Sequence, residues 1–295
     1  MPPEAPAAAS PRFLDARWIH LAMLNYEVDP DILTPRVPAG TQLDAWQGRA
    51  FVSMVGFQFL DTRVFGVPVP FHRDFDEVNL RFYVRRAAAE GVRRGVVFVK
   101  EIVPRRAIAA VARGLYNENY VALPMRHRDE LADPERASIA YEWRHRGRWD
   151  RLGVSIEGPS FLPDESSEEA FITEHYWGYA AQRDGGTLEY RVEHPRWRVW
   201  RAVRTDFDCD VAALYGAEFR EALARPPCSA FLAEGSQVRV LRGRRLAARD
   251  DVSRPVFAPI PGVRAARPLA RRSAPADPFL AYSADPKPAS TPESP

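Results

Sequence analysis

From Glu77 to Arg85 polar and apolar residues alternate without a break: Glu77, Asn79, Arg81 and Tyr83 against Val78, Leu80, Phe82 and Val84. Successive side chains of a strand point to opposite faces, so this period fixes a strand with one apolar face and one polar face. Two arrangements satisfy it. If the apolar row meets packed helices outside a barrel, the polar row faces the lumen, where its groups must be satisfied by one another or by a ligand. If the apolar row faces the core instead, the polar row is simply wet. The pattern by itself leaves both open.

The neighbouring segments extend the strand reading. Residues 50–60 and 95–103 are rich in Val and Phe, and residues 63–69 form an irregular return leg punctuated by Gly66, Pro68 and Pro70. Residues 137–144 and 149–157 predict a hairpin turning at Arg146-Gly147, with Ile139, Tyr141 and Trp143 on one face. Residues 187–194 and 197–203 predict a further strand pair, and residues 230–246 a last pair hinged at Glu234-Gly235. Helices are inserted between hairpins. Asp29-Pro30 caps a short one, and the spacing of Ile108, Val111, Ala112 and Leu115 predicts an amphipathic helix over 105–116 that delivers Tyr116, Asn117, Glu118, Asn119 and Tyr120 at its end. A capping-box pattern from Ser166 to Glu169 opens a helix running to about Gln182, and residues 210–223 predict another. Without a long βαβ alternation, an α+β fold on an antiparallel sheet is expected.

Of 295 residues, 46% are hydrophobic and 27% charged, enough for a sizeable core. Residues 1–12 and the Pro, Arg and Ala-rich residues 247–295 lack packing periodicity and are expected to be disordered, leaving one domain over 13–246. The net charge of +2 is spread among interleaved acids and arginines, which argues against nucleic-acid binding. No apolar run is long enough to span a bilayer and no signal-peptide pattern opens the chain, so a cytoplasmic protein without a membrane partner is expected. Cys209, Cys228 and the scattered histidines lack metal-ligand spacing. Neither a nucleophile elbow nor a phosphate or dinucleotide loop is present, so neither metal nor cofactor is expected.

An ordered series of short motifs resembles a known family. It comprises Trp18-Ile19-His20-Leu21, Asn25-Tyr26 with Asp29-Pro30, Val37-Pro38-Ala39-Gly40, Ser53-Met54-Val55-Gly56-Phe57, the strand from Glu77 to Val84, Gly95-Val96-Val97-Phe98, Ala112-Arg113 with Tyr116 and Tyr120, and Ala233-Glu234-Gly235-Ser236. Together they resemble the domain of unknown function 2071, or YqjF-like, family over residues 13–246. That family is similar in fold to the acetoacetate decarboxylase superfamily. The resemblance implies an antiparallel closed or nearly closed β-barrel with flanking helices and a buried pocket. In the decarboxylases a lysine just beyond the helix forms a Schiff base with the keto acid. The resemblance puts Tyr120 or a close neighbour at that place. Lys100, in the preceding strand beside Glu101, reads as an exposed or paired lysine. The decarboxylase arginine that holds the substrate carboxylate corresponds to the region of Glu27, an opposite charge, whereas Glu77 matches a pocket glutamate. The resemblance therefore implies the fold without the Schiff-base chemistry.

The candidate pocket residues are Glu77, Asn79, Arg81, Tyr83, Arg113, Tyr116, Tyr120, His175 and Tyr176. Arg113 interrupts an apolar stripe and reads either as a ligand for a carboxylate or as half of a structural ion pair. The aromatic residues read either as pocket lining or as ordinary core. The first functional expectation is a barrel whose lumen binds a small organic acid or carbonyl compound. The alternatives are a lyase- or hydrolase-type enzyme with Glu77 as general acid or base, and an interaction protein whose Arg-rich tail recruits an acidic partner.

Overall fold

The computed structural model describes residues 11–68, 70–110, 117–133 and 136–246. Its strands in chain order are β1 (Arg12–Val28), β2 (Gln42–Leu43), β3 (Ala50–Val64), β4 (Val67–Pro68), β5 (Phe75–Ala88), β6 (Gly91–Val103), β7 (Tyr120–Ala122) and β8 (Met125–Glu130). They continue with β9 (Arg136–His145), β10 (Arg148–Glu157), β11 (Trp177–Ala181), β12 (Thr187–Glu193), β13 (Val199–Asp208), β14 (Ser229–Leu241) and β15 (Arg244–Arg245). The described helices are short: Pro30–Leu33, Glu168–Thr173, Val211–Leu214 and Arg220–Leu223.

Seven strands run side by side in the order β12, β11, β6, β5, β3, β1, β14. The outer two also pair with each other, Val192 opposite Val240 and Glu193 opposite Arg239. Beyond β14 the path continues through β13 and β10 to β9 and β8, which form a second layer. The pleat sorts side chains between two cores. Leu24, Met54, Leu80 and Phe82 pack on one face of the first layer against Ile139, Tyr141, Trp143 and Leu152 of the second. Their chain neighbours Met23, Val55 and Tyr83 turn the other way, into a cluster with Phe57, Phe171 and Trp197.

Local chemistry explains several elements. Asp29 caps the first helix, its side chain accepting from the Asp31 amide at 2.9 Å, with Pro30 at the first helical position. The β9–β10 hairpin turns where Arg146 and Gly147 take φ values of 49° and 86°, as a two-residue loop requires. In β1 the register against β3 shifts between Ile19 and Ala22, where His20 takes a φ of 53°. The Tyr141 hydroxyl donates to the His20 carbonyl at 2.8 Å, which ties the second layer to this bulge.

Several expectations from the sequence are corrected. The sheet is mixed: β11 and β7 both run parallel to β6. The helix opened by the 166–169 pattern ends at Thr173, and 177–181 is strand β11, because burial of Tyr179 and Ala180 and pairing to β6 and β12 override local helical preference. Its cap is Ser167, which accepts from the Ala170 amide at 3.1 Å, while the Ser166 hydroxyl donates to Asp164 at 2.6 Å. The 210–223 helix is broken at Gly216 into short pieces. Strands β12 and β13 do not pair with each other, since β13 lies between β14 and β10. Residues 229–241 form one strand, not a hinged pair. Gly235 sits where a Cβ would come within 2.0 Å of the Trp18 carbonyl oxygen, so it permits close backbone approach inside a continuous β14. Strand β1 begins at Arg12, one residue before the expected domain start. Residues 106–110 are helical, while the rest of the helix expected over 105–116 falls outside the described residues, as do 1–10 and the tail from 247.

Candidate functional site

Sheet register gathers polar side chains from three adjacent strands. On β5, Glu77, Asn79 and Arg81 share one face; Glu101 on β6 lies directly across from Asn79, and Tyr120 on β7 lies across from Glu101. A shift in the β5–β6 register between Leu80 and Arg81 then places Phe98 opposite Arg81. These residues, with Glu118 and Tyr190, line a cavity of about 220 Å³. Its remaining walls are largely apolar, with Phe57, Phe59, Phe75, Trp18 and Trp177 prominent. Phe59 stacks on Phe75 with ring centroids 4.6 Å apart, and Trp18 meets Phe57 and Phe59 edge-on.

Three carboxyl groups are thus buried together: Glu77, Glu101 and Glu118. The Asn79 amide donates to Glu77 Oε1 at 3.0 Å and the Tyr120 hydroxyl to Glu77 Oε2 at 3.2 Å. The Tyr190 hydroxyl donates to Glu118 Oε1 at 3.1 Å. Burial pushes Glu77 up to about 7 against the pull of these hydrogen bonds and of Arg81. Burial likewise pushes Glu118 up to about 8, assisted by the Glu77 charge and opposed by Tyr190. Glu101 is driven well above the ordinary carboxyl range by burial and by the charges of Glu118 and Glu77. A low-dielectric pocket that holds three acids cannot keep all of them ionised, so at neutral pH it holds protons.

Among the described residues the arginine that lines the cavity is Arg81, half-buried, whose guanidinium donates to the Ile172 carbonyl at 3.3 Å. Nearby, His175 is buried with Nε2 3.6 Å from Asp44. Desolvation, with the Arg94 and Arg81 charges, lowers it to about 4 despite Asp44. It is a neutral imidazole. Burial raises Asp44, but the nearby His175 and the hydrogen bond and charge of Arg94 outweigh this and hold it below the usual range.

Among the residues singled out in the sequence, Glu77, Asn79, Arg81, Tyr120 and His175 line this one cavity. Tyr83 points to the same side, but its hydroxyl meets Ser53 at 2.6 Å and its ring packs 4.6 Å from that of His175. Tyr176 does not line the cavity; its hydroxyl donates to Glu174 and its ring packs on His194. Arg113 and Tyr116 lie outside the described residues. Glu101, Glu118 and Tyr190 were missed. An acid inside the apolar run Val96 to Val103 was the signal for Glu101, although only register shows that it faces Asn79.

Lys100 does not pair with Glu101. It lies opposite Leu80 and shares the face turned away from the cavity, half-buried, and among the described residues no lysine lines the cavity. Glu27 is also remote from the cavity, its half-exposed side chain 3.6 Å from Arg49. Among the described residues no group of three or more His, Cys, Asp or Glu is placed to hold a metal ion, and no helix is long and apolar enough to cross a membrane.

The mostly-strand fold is acetoacetate decarboxylase-like. The acetoacetate decarboxylase of Legionella pneumophila matches with a TM-score of 0.55 at 12% identity, over 84% of this chain and 92% of that one. The enduracididine biosynthesis enzyme MppR, solved in complex with pyruvate, matches with a TM-score of 0.56 at 14% identity, over 83% and 95%. Identities this low carry the fold alone. The chain belongs to the DUF2071 family of uncharacterised conserved proteins, whose family model matches residues 15–237. The uncharacterised protein YqjF of Bacillus subtilis (strain 168) is 26% identical over 182 residues, 60% of this chain and 72% of YqjF.

Proposed function

We propose that the seven paired strands close into a barrel whose lumen binds a small uncharged carbonyl compound with an apolar body. The pairing of β12 with β14, which joins the two ends of the strand row, supports closure. The observation that carries the ligand class is the meeting, among the described residues, of three buried carboxyl groups with one guanidinium in a cavity whose remaining walls are largely aromatic and aliphatic, with His72, His175 and His194 among them. An organic-acid anion entering such a site adds a negative charge where acids already hold their protons to avoid one. Protonated carboxyls instead donate to a carbonyl oxygen, and the aromatic walls take up the body. A cavity of about 220 Å³ favours a compound below drug size. MppR, which shares the fold, has been solved with pyruvate; the acid cluster here favours the carbonyl function over the carboxylate. The free thiols of Cys209 and Cys228 support a reducing compartment, the cytoplasm, as its location.

Matched probes test this. In saturation-transfer NMR at pH 7.5, 4-phenylbutan-2-one is expected to bind and 3-phenylpropanoate, the acid of similar shape, is not. Preferential binding of the acid would reverse the assignment.

A further inference from the structure

We infer that the cavity is a proton-transfer site: Glu77 removes an α-proton from a bound carbonyl compound while the Glu101 carboxyl holds the carbonyl oxygen, so that the protein interconverts keto and enol forms. This rests on the binding reading above and adds an activity to it.

The geometry supplies two carboxyls in different roles on one floor. Glu101 faces Asn79 directly, and Glu77 lies two residues along the same face of the adjacent strand. Such diagonal neighbours stand roughly 7–8 Å apart at the backbone, and both line the same cavity. Glu77 receives two hydrogen bonds, from Asn79 and Tyr120, which favour its anion. Among the described residues, Oε2 of Glu101 has no hydrogen-bond partner although Glu101 is only 2% exposed, and Oδ1 of Asn79 beside it is equally buried and unpartnered. Orphan polar atoms of this kind need a partner from a ligand or solvent. They are independent of the clustering of acids and open onto the same cavity. Burial and the charges of Glu118 and Glu77 favour the protonated form of Glu101, while Glu77, near 7, is partly ionised at neutral pH. A base and an acid separated by environment are what the step requires.

In that step the α-C–H bond breaks and its proton goes to the Glu77 carboxylate. The C–H electron pair becomes the C=C bond, and the carbonyl π pair moves to oxygen, which takes the Glu101 proton. Reversal regenerates both groups, and exchange of the Glu77 proton with solvent labels the ketone. No oxidant, reductant or second substrate is consumed.

The test is proton NMR of 4-phenylbutan-2-one in D2O with the full chain. Loss of the α-proton signals is expected to run at least ~100-fold faster than in buffer, to rise with the ionisation of a group near 7, and to fall to the buffer rate in Glu77→Gln. Glu101→Leu is expected to slow it ~10-fold or more. Saturation transfer on the same samples separates the two readings. A ketone that binds without exchanging overturns the proton-transfer inference and leaves the binding reading standing. A ketone that does not bind overturns both. Should Glu77→Gln fail to fold, the wild-type pH profile decides: a rate without an inflection near 7 also overturns the inference.

Discussion

The Tyr120 hydroxyl donates to Oε2 of Glu77 at 3.2 Å although their strands, β7 and β5, do not pair with each other. β6 lies between them and contributes Glu101 to the same floor, opposite Asn79 on one side and Tyr120 on the other. The cavity therefore depends on a three-strand register, and a one-residue slip of β6 would replace Glu101 by Lys100 or Ile102.

The buried acids make stability depend on pH. The carboxyls of Glu77 and Glu118 titrate near 7 and 8 in the folded protein, against 4.5 when exposed. Across that window the folded protein holds protons that the unfolded chain releases, so stability falls as pH rises. His175, lowered to about 4 from 6.5, acts in the opposite sense, its contribution being lost as pH falls below 6.5. Above pH 6.5 the carboxyls dominate. Thermal melts are expected to show Tm falling by about 5 °C from pH 6.5 to 8.5, and Glu118→Gln to flatten the slope.

A hydrogen-bond chain behind the cavity holds Tyr83 in place. The Tyr83 hydroxyl donates to Ser53 at 2.6 Å, Ser53 donates to Asn25 Oδ1 at 2.6 Å, and the Asn25 amide donates to Ser229 at 2.9 Å. Ser53→Ala leaves a buried hydroxyl and a buried amide oxygen unpaired. Urea denaturation is expected to register a loss of about 1–3 kcal/mol.

The Tyr190 ring lies over Gly178, its partner across β11 and β12. A Cβ at Gly178 would come within 2.1 Å of Tyr190 Cζ. Gly178→Ala is expected to cost about 1–3 kcal/mol by overpacking, and to weaken ketone binding by displacing the hydroxyl that serves Glu118. Both are read from one ligand titration of the variant followed by thermal melting.

The sequence made the β5 face legible because alternation is a local signal, and the apolar row Val78, Leu80 and Phe82 does meet a packed layer, made of strands where helices were expected, while Glu77, Asn79 and Arg81 face the cavity. Local chemistry also announced the Asp29 cap and the turn at Arg146-Gly147. Strand β11 was not legible. Its residues read as a helical continuation until parallel pairing of Trp177 and Gly178 with Gly95 and Val96, far away in the chain, makes them a strand. For the same reason two of the three acids escaped: the environment of Glu101 and Glu118 is assembled from β5, β7 and β12, and no local period encodes it.

Carbon-detected NMR titration of the glutamate carboxyls, with and without 4-phenylbutan-2-one, reads the cavity directly. The expected result is a Glu77 carboxyl that titrates near 7 and whose resonance moves when the ketone is added. Glutamates that all titrate near 4.5, with no response at Glu77 to the ketone, would contradict a buried, protonated site for carbonyl compounds.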